Sequence, residues 1–425
     1  MVATFLSSWA HVRSRRADGW SIGALSLCLL LLGPVVALIL KALGDSGGLW
    51  GHLLDTVLLR YISNTLVLMV GVGILACLFG VATAWVITRY EFPGRILFEW
   101  MLLLPAAIPA YIVAYTYTDF FEYAGPVQSQ LRMLFGWTRP SDYWFPEIRS
   151  LGGATLVMAS VLYPYIYMVT RIAFRLTPAS LFEIALVHRK SQFWAVGLPL
   201  ARPAITAGLA LVLMEVVSDF GTVEYFAVET LTLGIFNVWL GMNNIVAAAQ
   251  ISLVGFVFIL SLLGLELYAR SRQRFASTSR ATHALRPLHL DLRGQTACIL
   301  VCCIPLLFGF VIPVGVLLKF VLTGGLVGNV LAIAEVLGGS VLVAGMAALL
   351  ITLVSTFIVL AATYRGGAAL RRMAMVASTG YAVPGTMLAI GVLIFAGSVD
   401  RSFAAVSGDG RASLLLGGAG ILILA

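Results

Sequence analysis

Charged side chains are scarce in this sequence. They make up 11% of the residues, whereas an ordinary soluble domain has about 25%. Hydrophobic residues make up 60%, and glycine is spread through the apolar stretches. Water does not solvate that much apolar surface, so a soluble enzyme is excluded and a lipid environment is indicated. The composition predicts an all-α, polytopic transmembrane protein.

Cysteine, histidine and lysine are also few, and each scarcity removes a class of site. The five cysteines lie in apolar stretches, where they act as small hydrophobic residues rather than as disulfides or metal ligands. The histidines lie outside the apolar segments, which argues against a metal-dependent membrane enzyme. A phosphate-binding loop needs Gly-Lys-Ser/Thr, and Lys41, Lys190 and Lys319 lack that context. We expect no cofactor on this chain and any ATP to be bound by a partner chain.

Apolar stretches of about 20 residues, long enough for a helix to cross the hydrocarbon core, recur along the whole chain. With the N-terminus placed in the cytoplasm, most arginines and lysines fall in the inside loops, as the positive-inside rule requires. The positive charge is therefore a topology signal of a bacterial inner-membrane protein, and nucleic acid is not a predicted partner. The predicted spans are 22–42, 61–88, 97–118, 151–170, 203–219, 249–269, 295–318, 338–362, 373–397 and one starting near 413, with 230–247 as a short helix dipping at the outer surface.

An internal repeat is visible in the order of short matches. Ala107-Ile108-Pro109-Ala110 and Ala382-Val383-Pro384-Gly385 both lie mid-span, 275 residues apart. Leu151-Gly152-Gly153-Ala154 matches Leu416-Gly417-Gly418-Ala419 further on. The matches predict two parallel copies, and the second is expected to be incomplete because its last apolar stretch is too short for a span. The predicted division is a first repeat of about six spans at 1–269, a basic cytoplasmic linker at 270–294, and a second repeat at 295–425.

The cytoplasmic segment 176–203 contains a predicted amphipathic helix. Thr177 followed by Pro178 reads as an N-cap and a first-turn proline. Pro199 and Pro203 are expected to end this helix and to start the next span. A short helix held on a cytoplasmic face can lodge in a groove of a partner protein, or it can be a plain interfacial helix without a partner. The predicted common face consists of Phe182, Ala185 and Leu186.

This segment resembles the cytoplasmic signature of the permease subunits of binding-protein-dependent ABC importers. The residues that match the two ends of that signature are Glu183, Ala185, Leu198 and Pro199. Ile184 stands at its second position, Arg189 stands at its glycine, and the spacing is three residues shorter. In that family the loop forms a coupling helix that docks on the ATPase subunit. The resemblance implies that role for Glu183, Ala185, Leu186, Leu198 and Pro199.

The resemblance extends over most of the chain. Asn64-Thr65-Leu66 at the start of a span, the basic turn 89–95 and Leu-Pro-Ala-Ala-Ile-Pro at 104–109 all fit the family. The double-length form and the stretch 219–226 look most like the ferric-iron branch. The resemblance implies two copies of the permease fold, ABC ATPase subunits and a periplasmic substrate-binding protein as partners, and ferric iron as cargo. Thiamine, phosphonate or another small solute is an alternative cargo, and a secondary transporter with parallel repeats is an alternative class.

Two carboxylates lie in or near a predicted span. Glu215 and Asp219 are four residues apart, so they share one helix face near its outer end. Ionisable groups in a span usually face protein or water. They are therefore candidates to line the translocation path and to offer oxygen ligands to a cationic substrate. The alternative is that Asp219 caps the outer helix and Glu215 makes a structural hydrogen bond.

Overall fold

The computed structural model describes residues 19–271, 287–323, 330–365, 367–378 and 384–407. Within these ranges seven helices are long and apolar enough to cross a membrane, or eight if a bent pair counts as one span. The all-α, polytopic prediction is confirmed. The helices are α1 Gly19–Ala42, α2 Leu49–Thr56, α3 Leu58–Arg89, α4 Arg95–Met101, α5 Ala110–Phe121, α6 Pro126–Phe135, α7 Leu151–Leu176, α8 Ala179–Val187, α9 Leu198–Ser218, α10 Gly221–Tyr225, α11 Leu231–Phe236, α12 Ile245–Ser271, α13 Leu292–Leu306, α14 Ile312–Thr323, α15 Val330–Leu360, α16 Ala368–Ser378 and α17 Gly385–Ser407.

Short non-α segments complete the described chain. Two residues at the basic turn, Tyr90–Glu91 (β1), pair in parallel with Leu288–His289 (β2) near the end of the predicted linker. The imidazole Nε2 of His289 lies 3.2 Å from a carboxylate oxygen of Glu91. The 3-10 turns are Leu104–Ala107 and Pro140–Asp142, and the π-helical turns are Phe193–Gly197, Asn237–Gly241, Leu307–Val311 and Ala361–Arg365.

The chain forms two compact units that are not continuous in sequence. The first consists of Met1–Trp50, Val238–Leu253 and Leu326–Ala425, and the second of Gly51–Asn237 and Val254–Gly325. In the first unit α1 packs against α15, α16 and α17. In the second unit α3, α7 and α9 form the centre, and α13 and α14 pack on α3 and α5. The opening helix of each predicted repeat thus packs with helices from the other repeat, so the units cut across the predicted sequence division.

Helix bounds follow the offset of the sequence repeat. Pro109 and Pro384 each stand directly before a helix, at the start of α5 and of α17. Proline suits this place because its fixed φ and missing N–H cost nothing at a helix start. Shifted by the same 275 residues that separate the two prolines, α3 overlaps α15 and its π-helical end. The 275-residue offset therefore relates these helix bounds as well as the matching residues.

Three predicted segments differ from the structure. The predicted span 97–118 is bent by 91° between Arg95–Ala107 and Ala110–Phe135, because Pro105 and Pro109 interrupt its helix. The predicted span 373–397 is divided between α16 and α17. The segment 230–247, predicted as one short helix, comprises α11, the π-helical turn Asn237–Gly241 and the start of α12, and every residue from Leu231 to Ile235 is buried. The predicted last span near 413, the basic N-terminus and linker residues 272–286 lie outside the described residues.

Candidate functional site

The coupling segment begins at the end of α7. The Thr177 hydroxyl donates to the Ala173 carbonyl at 2.9 Å, and its N–H donates to the Phe174 carbonyl at 3.3 Å. The hydroxyl is therefore committed to the preceding helix. Pro178, with φ −58° and ψ 133°, is the residue that precedes α8, so the predicted Thr177 N-cap is wrong.

The segment's helix α8 ends at Val187 and is closed by the two residues that follow His188. The Arg189 N–H donates to the Leu186 carbonyl at 2.9 Å and the Lys190 N–H donates to the Ala185 carbonyl at 2.8 Å. These two bonds form a Schellman motif, which needs a left-handed residue after the helix. Arg189 supplies it with a φ of 53°. This is the position where the resembled signature has glycine, the residue that adopts this conformation most readily.

Leu198 and Pro199 belong to the next element. They open α9 after the π-helical turn Phe193–Gly197, with Pro199 in the first turn, and both are half-buried. Pro203 lies inside α9. Pro199 therefore lies at the start of the following span, as predicted, whereas Pro203 lies within it, and the end of α8 is set earlier by the Schellman motif.

One side of α8 is buried against an aromatic cluster. Phe182 and Ala185 are buried, and the Phe182 ring lies 6.0 Å from the ring of Trp85 at the inner end of α3. Trp85 also contacts Phe174 of α7 at 5.2 Å and Phe193 at 5.1 Å. One tryptophan thus joins α3, α7, α8 and the π-helical turn. Leu186 does not share this face, because it is 54% exposed.

The other side of α8 is exposed and mostly apolar. Ile184 is 54% exposed and Val187 is 82% exposed, and Glu183 and Leu186 are exposed beside them. An apolar helix face with one acid is the kind of surface that lodges in a groove of a partner protein. Of the predicted coupling residues, Ala185 therefore anchors the helix, whereas Glu183 and Leu186 are available to a partner.

A polar bridge fastens α8 to α3. The Arg89 Nε donates to the Gln192 Oε1 at 2.9 Å, and the Gln192 Nε2 donates to the Phe182 carbonyl at 3.0 Å. Arg89 is only 4% exposed, and buried charged groups need such partners. The sequence analysis did not predict that Arg89 and Gln192 form a pair. The available signal was an arginine that ends an apolar helix next to the motif loop.

A second set of polar contacts fixes the bent segment on α7. Glu99 pairs with Arg171 and Arg175, the latter at 3.0 Å. The Tyr167 hydroxyl donates to the Glu99 carbonyl at 3.1 Å, and the Tyr163 hydroxyl donates to the Leu102 carbonyl at 2.9 Å. Glu99 therefore has a structural role, joining the bent segment to the C-terminal half of α7.

The two outer carboxylates have different environments. The Asp219 Oδ1 accepts from the Thr222 N–H at 2.8 Å, and its Oδ2 accepts from the Thr222 hydroxyl at 2.9 Å. Asp219 thus caps the N-terminus of α10. The Glu215 side chain is half-buried and makes no hydrogen bond or ion pair within the part of the chain that the structure describes. The structural alternative holds for Asp219, whereas the structural hydrogen bond expected of Glu215 is not seen.

The segment after Asp219 is anchored near the N-terminal end of α3. The Asn64 Nδ2 donates to the Glu229 carbonyl at 3.0 Å, and the Leu231 N–H donates to the Thr65 hydroxyl at 3.0 Å. Arg60 and Glu229 form an ion pair at 2.5 Å. The Asn64-Thr65 pair of the sequence resemblance therefore holds the backbone at 229–231. Among the described residues no group of three or more His, Cys, Asp or Glu side chains could hold a metal ion.

Known proteins similar to this chain are transport permeases, while no protein-family model matches it. The Fe(3+)-transport system permease protein FbpB 2 of Haemophilus influenzae is 28% identical over 216 residues, which is 50% of this chain and 38% of that protein. The sulfate transport system permease protein CysT of Salmonella typhimurium is 26% identical over 215 residues, 48% of this chain and 72% of that protein. The putative 2-aminoethylphosphonate transport system permease protein PhnU of Salmonella choleraesuis is 25% identical over 263 residues, 58% of this chain and 90% of that protein. The likeness thus covers little more than a third of the first relative, and the cargoes named for these proteins differ.

Proposed function

We propose that this chain is a membrane-spanning permease subunit of a binding-protein-dependent ABC importer in a bacterial inner membrane, with its N-terminus in the cytoplasm. The likeness to transport permeases and the apolar spans support the class. The observation that carries the proposal is that α8 has one buried side and one exposed side. Phe182 and Ala185 anchor it to the spans, while Glu183, Ile184 and Val187 face outward for a partner.

In the proposed mechanism the chain provides a docking surface for the ATPase subunits and the translocation path for the substrate. Its partners provide ATP hydrolysis. A periplasmic binding protein delivers the substrate to the outer loops. ATPase subunits that close on ATP push on α8, and hydrolysis lets it return. The push changes the populations of an outward-open and an inward-open arrangement, because ATP binding favours one of them.

The docking role can be tested on α8 itself. The Glu183→Arg, Pro199→Ala double variant should reach the membrane at the wild-type level and lose at least about tenfold in ATPase co-purification, since a reversed charge at a docking face costs several kcal/mol. The matched control is Glu224→Arg, which reverses an exposed acid in α10. Unchanged co-purification in the double variant would refute the docking assignment.

For the cargo we propose ferric iron. Glu215 has carboxylate oxygens that no described residue occupies, and hard oxygen ligands suit ferric iron. The first relative described above is named for Fe(3+) transport. The second candidate is an oxyanion such as sulfate or a phosphonate. It is favoured by the names of the other relatives and by the use of both Asp219 oxygens as a helix cap.

Uptake by proteoliposomes separates these cargoes. The chain would be reconstituted with the ABC ATPase subunits and the binding protein proposed as its partners, and radiolabelled ferric iron, sulfate and 2-aminoethylphosphonate would be offered in turn. We expect ATP-dependent iron uptake that falls roughly tenfold in Glu215→Gln, the loss expected for one charged ligand. Uptake of an oxyanion instead would select the second candidate, and uptake abolished by an ionophore but not by ATP removal would indicate a secondary transporter.

A further inference from the structure

Helix α3 differs from the other long helices at the centre of the second unit. It runs for 32 residues without proline, whereas α7 contains Pro164 and α9 contains Pro203. A helix of this length spans about 48 Å at 1.5 Å per residue. Prolines are the usual sites of sharp kinks in helices. Of these three helices, α3 is therefore the one best built to transmit a displacement along its axis.

The inner end of α3 is fastened to the coupling helix in two ways. Trp85 packs on Phe182, and the Arg89–Gln192 bridge reaches the Phe182 carbonyl. If α8 moved while α3 stayed in place, the buried Arg89 would lose a hydrogen-bond partner. Losing a hydrogen bond to a buried charged group costs free energy, so motion of both helices together is favoured.

The outer end of α3 is fastened to the segment that follows Asp219. Thr65 is 2% exposed and accepts from the Leu231 N–H, and the Asn64 side chain donates to the Glu229 carbonyl. The Tyr61 ring lies directly against Gly234. In turn the Thr232 hydroxyl donates to the Val217 carbonyl at 2.8 Å, two residues before Asp219. The contacts therefore continue from α3 to the two outer carboxylates.

We propose that α3 is a strut that links the coupling helix to the outer segment 228–233, with Gln192 and Thr65 as positioning residues at its two ends. Displacement of α8 at the inner side then moves the backbone around Asp219 and Glu215, about 36 Å away along the helix. The relevance of this strut to import rests on the proposed function. The link between the two ends is a property of this chain alone and is testable without any partner.

Hydrogen–deuterium exchange of the full chain in lipid nanodiscs tests the strut. Thr65→Val removes the acceptor for Leu231 while keeping the side-chain volume. It should speed exchange in 228–233 and, roughly fivefold, also in 179–187, because coupling between two sites is reciprocal. Thr83→Val is the matched control, because Thr83 is equally buried on α3 and its hydroxyl donates only to carbonyls of the same helix.

The converse experiment starts from the inner end. Gln192→Met should speed exchange in 179–187 and in 228–233, whereas Gln295→Met, which removes a side-chain bond to the Leu290 carbonyl, should leave both unchanged. In Gln192→Met, exchange in α13 reports global destabilisation and should stay at the wild-type rate. Thr65→Ser keeps the hydroxyl and should restore wild-type exchange at both ends.

Two results would overturn the strut. One is faster exchange confined to the mutated end, and the other is an equal increase in all peptides, including α13. Neither result depends on ATPase binding or on uptake. A chain that shows the link but binds no ATPase would refute the proposed function and leave the strut standing.

Discussion

Helices α3 and α15 occupy equivalent places in the sequence repeat but differ in burial. In their apolar windows 44% of the residues of α3 are buried, against 6% for α15. Both are about equally long and strongly apolar. Apolar character alone therefore does not decide burial in lipid, because lipid tails solvate a hydrophobic helix as well as protein does. The difference comes from the partners, since α3 packs closely on α7 and α9 within its own unit.

The largest expected effect is at the inner end of α3. Trp85→Ala should lower the free energy of unfolding by about 3–5 kcal/mol, because the ring fills the space between three other aromatic side chains. The position 275 residues later is Leu360 of α15, which is 44% exposed, and Leu360→Ala should cost less than about 1 kcal/mol. Unfolding in mixed detergent micelles measures both. Equal losses would mean that α15 is packed as tightly as α3.

A smaller effect is expected from glycines. A Cβ added at Gly80 would lie 2.8 Å from the Cβ of Ile166 and 3.1 Å from the carbonyl oxygen of Tyr163 in α7. Gly80→Ala should therefore destabilise the chain by about 1–3 kcal/mol through overpacking. At Gly345 of α15 a Cβ meets nothing within 4 Å, so Gly345→Ala should leave stability unchanged or raise it slightly. The same unfolding assay applies, and a stable Gly80→Ala would show that α3 and α7 can separate at little cost.

The smallest expected effect concerns the loop that α3 supports. Arg189 has a φ of 53°, a conformation that glycine adopts without a Cβ clash. Arg189→Gly should raise the free energy of unfolding by up to about 1 kcal/mol, whereas Arg189→Val should lower it by a similar amount. Thermal unfolding of the two variants gives the sign. Destabilisation by glycine would indicate that the guanidinium group makes contacts worth more than the backbone strain.

Local sequence signals located the coupling segment but not all of its contacts. The i, i+3 spacing of Phe182 and Ala185 correctly indicates a buried face, since helical periodicity depends only on neighbouring residues. Leu186 fits the same pattern and is exposed, because the narrow contact with Trp85 covers only part of the helix. Gln192 and Arg89 are 103 residues apart in sequence, and no local pattern indicates that they meet.

The sequence by itself determined the class of protein, the approximate spans and the place of α8, the helix for which we propose the coupling role. Hydropathy, charge bias and helix periodicity are properties of neighbouring residues, and the insertion of each segment into a bilayer depends on its own values. Only the tertiary structure decided that Leu231–Ile235 is buried, that Asp219 caps α10 while the Glu215 carboxylate has no hydrogen-bond partner among the described residues, and that α3 makes anchoring contacts at both of its ends. These features depend on contacts between residues far apart in the chain, where several partners of similar polarity compete and packing selects one.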